Sequence, residues 1–297
     1  MSIRLALTNF LLRHIERRAL ARIKEPTKIR RRMEIQTRLF FRPKFGTPIS
    51  REALAHGQSS VSALKIGTRD QGVLLYLHGG AYFYGSAETH RRLVSKLAED
   101  NKLTGYSIDY RLAPEHSFPA AIDDCLTAYQ ALLGRGVKDI TIVGDSAGGG
   151  LALALLHRIL AKGLTPPRAV IAFSPLTDQT MQSLSLSENA QSEVMLPTEC
   201  MGEVRDMYIT EDYKNPLASP LFGNFENAPP VFLSVGTKEI LRDDTLAMAA
   251  KLRTQNVPVT LEILENAPHV WPFFHGRLPE ADATLKKVQA FLSRPSP

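Results

Sequence analysis

The chain has 297 residues, 44% hydrophobic and 22% charged, enough for one large domain, or a domain with a lid, around a buried core. Its two cysteines, Cys125 and Cys200, exclude a disulfide framework and favour a reducing, cytoplasmic setting, and no Cys/His spacing suits a metal. The net charge of +6 is uneven: residues 1–44 carry thirteen Lys or Arg against three Glu, a balance of +10, while the remainder sums to −4.

Leu5, Leu7, Phe10, Leu11, Ile15 and Leu20 recur near helical spacing and predict an amphipathic helix at about 3–22. Arg4, Arg13, Glu16, Arg17 and Arg18 interrupt it, so it reads neither as a signal peptide nor as a span, and no run of about 18 uncharged apolar residues occurs anywhere. A basic amphipathic segment suits nucleic acid or an anionic membrane surface. The aromatic interleaving of single-strand binders is missing, so nucleic acid is set aside. Packing on its own protein is the favoured reading, with a peripheral membrane contact left open. Pro26 marks a break, 27–40 reads as a second basic helix, and Pro43, Gly46 and Pro48 set a boundary near residue 45.

The pattern then alternates. Strands are expected at Val61–Ile66, Val73–Leu77, Thr104–Ile108, Ile140–Val143, Ala169–Phe173, Val231–Val235 and Val259–Leu264, with helices at 87–100, 119–133, 147–162, 243–255 and 279–293. Short apolar strands separated by helices argue for an α/β fold with a mostly parallel sheet covered on both faces. Its ligand site then belongs on the rim where the strands end. Residues 176–229 are too long for a simple crossover and read as an inserted lid completed by the N-terminal helices. The expected division is 1–45 and 177–213 as cap, with 46–176 and 214–297 as core. An exposed edge strand would be a route to a homodimer.

Three stretches carry chemistry. In DITIVGDSAGGGL, Ser146 stands between Gly144 and Gly148 where a β-branched run meets a helix, the setting of a nucleophile on a strand-to-helix elbow. The helix N-terminus offers the unpaired Ala147 N–H to a developing oxyanion. In GVLLYLHGGAYFYGS a buried run ends in His78-Gly79-Gly80, and adjacent glycines can aim bare N–H groups at a carbonyl oxygen. Gly79, Gly80 and Ala147 are therefore the expected oxyanion donors, with the His78 ring bracing the loop. In LEILENAPHVWPFF, His269 follows the last strand and is the candidate general base. Tyr82, Phe83 and Trp271 are the candidate pocket residues, with Tyr84, Phe273 and Phe274 beside them. Asp145 is expected to point away from Ser146, and Asp109, Tyr110, Arg111 and Glu115 to pin the loop beneath the glycines.

Together, HGGAYFYGS, YRLAPEHSFPAAIDD, GDSAGGGLALA and LSVGTKEILRDD…APHVW resemble the hormone-sensitive lipase-like esterases of the α/β-hydrolase fold, in order from about residue 70 to 275. The resemblance implies a helical cap, a serine carboxylesterase acting on small-molecule esters of short to medium chain, and no cofactor or metal. It implies Ser146 as nucleophile and His269 as base. Where that family has aspartate in a stretch like D-P-L-R-D-E, this chain has Glu239, at the tip of Val231–Val235, and Glu239 is preferred as acid over Asp243 and Asp244. The third glycine of the family's HGGG is Ala81, whose methyl narrows the loop against bulky alcohols. The alternatives are a non-catalytic small-molecule receptor on the same fold and a lipase acting at lipid surfaces.

Overall fold

The computed structural model describes residues 2–22, 25–68 and 72–294. Eight strands form one sheet: β1 Ile49–His56, β2 Ser59–Ile66, β3 Val73–Leu77, β4 Thr104–Ile108, β5 Ile140–Asp145, β6 Ala169–Phe173, β7 Val231–Gly236 and β8 Val259–Leu264. Their order is β1-β2-β4-β3-β5-β6-β7-β8, with β1–β2 and β2–β4 antiparallel and every other pair parallel. The α/β-hydrolase sheet expected from the sequence is present, with β1 as an additional strand.

Strands β3 to β7 are short, mostly apolar runs buried throughout, as a sheet covered on both faces requires. Helices α4 (Ala87–Asn101) and α10 (Pro279–Leu292) cover one face, meeting Leu74, Tyr76 and Val143 with Leu93, Leu97 and Val288. Helices α5 (Ala120–Gly134), α6 (Ala147–Ala161) and α9 (Arg242–Thr254) cover the other, meeting Leu75, Leu77 and Ile142 with Ile122, Leu151 and Met248. Each such side chain contributes about 1.5–3 kcal/mol of burial. Because the central strands are parallel and in register, Leu77 beside Gly144, Asp145 beside Phe173 and Gly236 beside Leu264, their C-terminal ends share one rim.

The N-terminal helix expected at 3–22 is interrupted. It runs as α1 (Ile3–Leu11), a π turn at Leu12–Glu16 and α2 (Arg17–Arg22), followed by α3 (Pro26–Phe40). The π turn adds a residue to the helical repeat, and within it both Leu12 and Glu16 are buried. Residues 176–229, read as an insertion, hold α7 (Ser185–Glu188), a 3-10 turn at Thr198–Cys200, α8 (Met201–Tyr208) and a 3-10 turn at Pro220–Phe222. The two segments are tied together: Arg13 donates to the Ser192 carbonyl at 2.9 Å, and Arg17 to those of Ala190 and Glu193. Arg30 of α3 anchors to the core, donating to the Phe83 and Ala113 carbonyls and pairing with Glu115. Among the described residues, no helix is long and apolar enough to cross a membrane.

Candidate active site

Ser146 sits between the end of β5 and the start of α6 with φ 54° and ψ −123°, a left-handed conformation that strains a residue bearing a Cβ. Its N–H donates to the Phe173 carbonyl, and its own carbonyl accepts from Gly150 and Leu176. The flanking glycines allow this elbow to close. A Cβ on Gly144 would stand 2.1 Å from the Gly148 carbonyl oxygen, and one on Gly148 would stand 2.0 Å from that of Leu77.

Glu239 lies in the turn after β7 and His269 in the loop after β8. The His269 Nδ1–Glu239 Oε2 distance is 2.7 Å, and both side chains are buried. Ser174, just beyond β6, fastens the two loops: its hydroxyl donates to Glu239 Oε1 at 2.9 Å and accepts from the Val270 N–H at 3.1 Å. The Gly236 N–H also donates to Glu239 Oε1. With Nδ1–H engaged by the carboxylate, Nε2 is the basic nitrogen of the ring. That Nε2 is buried and makes no hydrogen bond among the described residues. Burial alone lowers the imidazolium pKa, but the hydrogen bond and charge of Glu239, with Glu193 and Asp145 beyond, raise it above the ordinary histidine value.

The structure brings His269 together with Glu239 and not with the other acids considered. Asp243 accepts from the Ser185 N–H and pairs with Arg242. Asp244 accepts from the N–H groups of Thr177 and Asp178 and from Ser183. Both therefore fasten the inserted segment to α9.

Ser146 and His269 open onto one cavity of about 100 Å³, whose walls include Gly80, Met33, Tyr84, Phe273 and Phe274. The sequence-based pocket is corrected on three counts. Trp271 is fully buried, its Nε1–H donates to Thr284, and it packs in a cluster with Leu5, Leu278 and Ala281. Tyr82 stacks on Tyr208 at 3.7 Å, with its hydroxyl accepting from Gln179. Phe83 faces a second cavity, of about 70 Å³, between the oxyanion loop and α8. Positive φ at Ala81 and Tyr82 turns the chain so that Tyr84 reaches the cavity, a twist no periodicity reveals.

One proposed oxyanion donor is also corrected. The Gly79 N–H donates to Asp145 Oδ1 at 3.0 Å and is thus engaged. The N–H groups of Gly80 and Ala81 have no acceptor among the described residues, and the first N–H of α6, at Ala147, has none inside its helix. Asp145 also accepts from Tyr76 at 2.7 Å, and its Oδ2 lies 3.4 Å from His90 Nε2. Burial opposes its ionisation, but His90, Tyr76 and His78 hold its pKa below the ordinary value. His78 braces the loop as expected, stacked on Tyr110 with Nδ1 2.8 Å from the Gly79 carbonyl, and burial lowers its pKa to about 4. The Tyr110 hydroxyl donates to the His78 carbonyl, and Arg111 pairs with Asp124.

The sequence reading missed Glu193. Buried in the inserted segment, it accepts from the Met195 and Leu196 N–H groups on one oxygen and from Ile240, next to Glu239, on the other. Burial raises its pKa. Nearby, Asn189 donates to the Glu239 carbonyl at 2.8 Å. No spacing marks Glu193, because its partners are backbone N–H groups, two of them nearby in its own segment and one 47 residues away beside Glu239. Among the described residues, no cluster of three or more His, Cys, Asp or Glu side chains could hold a metal ion.

Residues 74–273 match the α/β-hydrolase fold family model. The chain is 35% identical to an acetyl-hydrolase of Streptomyces hygroscopicus over 80% of each protein. It is 37% identical to an esterase of Acinetobacter venetianus over 74% of each. A crystal structure of an esterase from the bacterial hormone-sensitive lipase family superposes with a TM-score of 0.91 at 32% identity, covering 98% of both chains. With two thirds of its length inside the family model, the chain belongs to the α/β-hydrolase family and, within it, to the hormone-sensitive lipase-like esterases.

Proposed function

We propose that the chain is a carboxylic ester hydrolase working through an acyl-enzyme on Ser146, with His269 as general base, Glu239 as its acid partner, and the N–H groups of Gly80, Ala81 and Ala147 as the oxyanion site. The observation that carries this reading is the buried Glu239–His269 pair, whose unpartnered Nε2 shares a cavity with a serine held at positive φ.

His269 Nε2 takes the Ser146 proton as the hydroxyl oxygen bonds to the ester carbonyl carbon, and the carbonyl oxygen gains the negative charge. Glu239 stays ionised and stabilises the imidazolium. The imidazolium passes its proton to the leaving alkoxide oxygen, the alcohol departs, and the acyl group remains on Ser146. Water then gives a proton to Nε2 and attacks the acyl carbon, which releases the acid and restores the serine. Oxyanion donors of this kind are worth about 10²–10³ in kcat each.

The apolar walls and small cavity support short-to-medium-chain esters, in keeping with a relative that is an acetyl-hydrolase. The N-terminal helices and the inserted segment act as one cap over that cavity. Among the described residues Cys125 and Cys200 form no disulfide, which fits the cytoplasm. β8 ends the sheet with Ile263 exposed, an edge at which a second copy would pair. The test is hydrolysis of p-nitrophenyl esters of rising acyl length by the wild type and by Ser146→Ala. The expected result is a rate that declines beyond medium chains and a fall of about 10⁴-fold or more in kcat for the variant, with KM little changed. Wild-type turnover by Ser146→Ala contradicts the mechanism.

A further inference from the structure

The first 45 residues hold nine of the twelve large hydrophobic side chains exposed among the described residues. On α1 and the π turn, Ile3, Leu7, Phe10, Leu11 and Ile15 are 46–89% exposed, at spacings that put them along one side of the helix. The opposite side is the packed one, with Leu5, Leu12 and Glu16 buried. On α3, Leu39 and Phe40 are exposed as well. The amphipathic pattern is thus used twice: one apolar face packs on the protein and a second faces out.

The charges point the same way. Arg4, Arg18, Arg22 and Arg31 are exposed and have no carboxylate partner among the described residues. Other cations of this segment do have one, as in Arg32–Glu16, Arg30–Glu115 and Lys44–Glu99. An outward ridge of Ile, Leu and Phe flanked by unpaired arginines fits a surface both apolar and anionic. A second copy docking face to face would set one +10 segment against another, which like-charge repulsion opposes. Nucleic acid would meet the arginines but leave the ridge in water.

The position matters for the site. Leu12 and Glu16 from the π turn and Met33, Gln36 and Thr37 from α3 line the cavity that holds Ser146 and His269. Their sequence neighbours Leu11, Ile15 and Ile35 belong to the exposed set.

We propose that the outer face of α1, the π turn and α3 is a docking surface for an anionic phospholipid bilayer. Ile3, Leu7, Phe10 and Leu11 enter the boundary between headgroups and acyl chains, and Arg4, Arg18, Arg22 and Arg31 meet the headgroup phosphates. Docking would hold the cavity close to esters dissolved in the bilayer. That consequence rests on the hydrolytic reading, whereas the docking itself does not.

The test is co-sedimentation of the full chain with vesicles of phosphatidylcholine alone or with about 30% phosphatidylglycerol, at about 0.1 M and 0.5 M salt. The wild type is expected to bind the anionic vesicles at least tenfold more tightly than the neutral ones and to lose that binding at high salt. An arginine near such a surface is worth about fivefold in partitioning. Arg18→Glu/Arg31→Glu is therefore expected to lose more than tenfold, and Leu7→Ser/Phe10→Ser a comparable amount. Both variants should hydrolyse soluble p-nitrophenyl acetate at the wild-type rate, which shows that they are folded. No vesicle binding, or equal binding to both compositions, overturns the proposal. So does a wild-type dimer that Leu7→Ser/Phe10→Ser dissociates while neither form binds vesicles, and so does binding to duplex DNA in place of vesicles. Absence of hydrolysis in the wild type would count against the reaction alone, because sedimentation reads docking without it.

Discussion

Glu239 reaches His269 with one carboxylate oxygen while Ser174 and Gly236 hold the other, so its longer side chain is fully used. Glu239→Asp should withdraw the carboxylate from at least one of these partners and lower kcat, and Glu239→Gln should lower it by about 10⁴-fold through loss of the charge and of the tautomer it selects. Asp243→Ala should stay within about tenfold of wild type, since Asp243 serves Ser185 and Arg242; a steady-state assay of all three variants distinguishes the two acids. The base must be neutral to accept a proton, so kcat/KM should fall as pH drops through the raised pKa of His269. Glu239→Gln removes the strongest raising influence, and the acid limb of its profile should move to lower pH; a limb left in place, or moved upward, contradicts the coupling. Ser146 and His269 were legible as candidates because each follows an apolar run in a distinctive local setting, and both line one cavity. The donor role of Gly79 was misread because Asp145, which takes that N–H, is 66 residues away in the chain.

Glu193 ties two elements together through backbone N–H groups: the inserted segment and the turn carrying Glu239. A glutamine there has only one acceptor oxygen, so Glu193→Gln leaves a buried N–H facing an amide. The cost should be about 1–3 kcal/mol, seen as a lower thermal midpoint. Through misplacement of Glu239, kcat should fall more than KM rises. An unchanged kcat with a lowered midpoint would show a merely structural tie. Arg30 has the matching role for α3, and Arg30→Ala should make the N-terminal helices more open to limited proteolysis without changing the sheet's circular dichroism. The buried strands were legible because they are short uncharged runs, mostly apolar or β-branched, set between helix-length segments. β1 was not, because ISREALAH is an edge strand in which Leu54 alone is buried. The π turn at Leu12–Glu16 escaped for a different reason: one added residue in a helical repeat leaves the apolar spacing almost unchanged.

The whole molecule works by bringing together loops that are distant in sequence. Parallel strands in register deliver the serine after β5, the acid after β7 and the histidine after β8 to one rim, and the N-terminal helices with the inserted segment roof it. The rim and its loops were legible from the alternation of strands and helices. The roof's contacts were not, because they run through arginine side chains to backbone carbonyls, which no pattern of residue types announces. The most direct measurement is covalent labelling with a p-nitrophenyl alkylphosphonate, followed by mass spectrometry of the digested protein. One phosphonyl group per chain is expected on the peptide containing Ser146, with labelling slowed by orders of magnitude in His269→Ala and absent in Ser146→Ala. Label on another residue, or an unlabelled wild type that still hydrolyses esters, would contradict the assignment of Ser146 as the nucleophile.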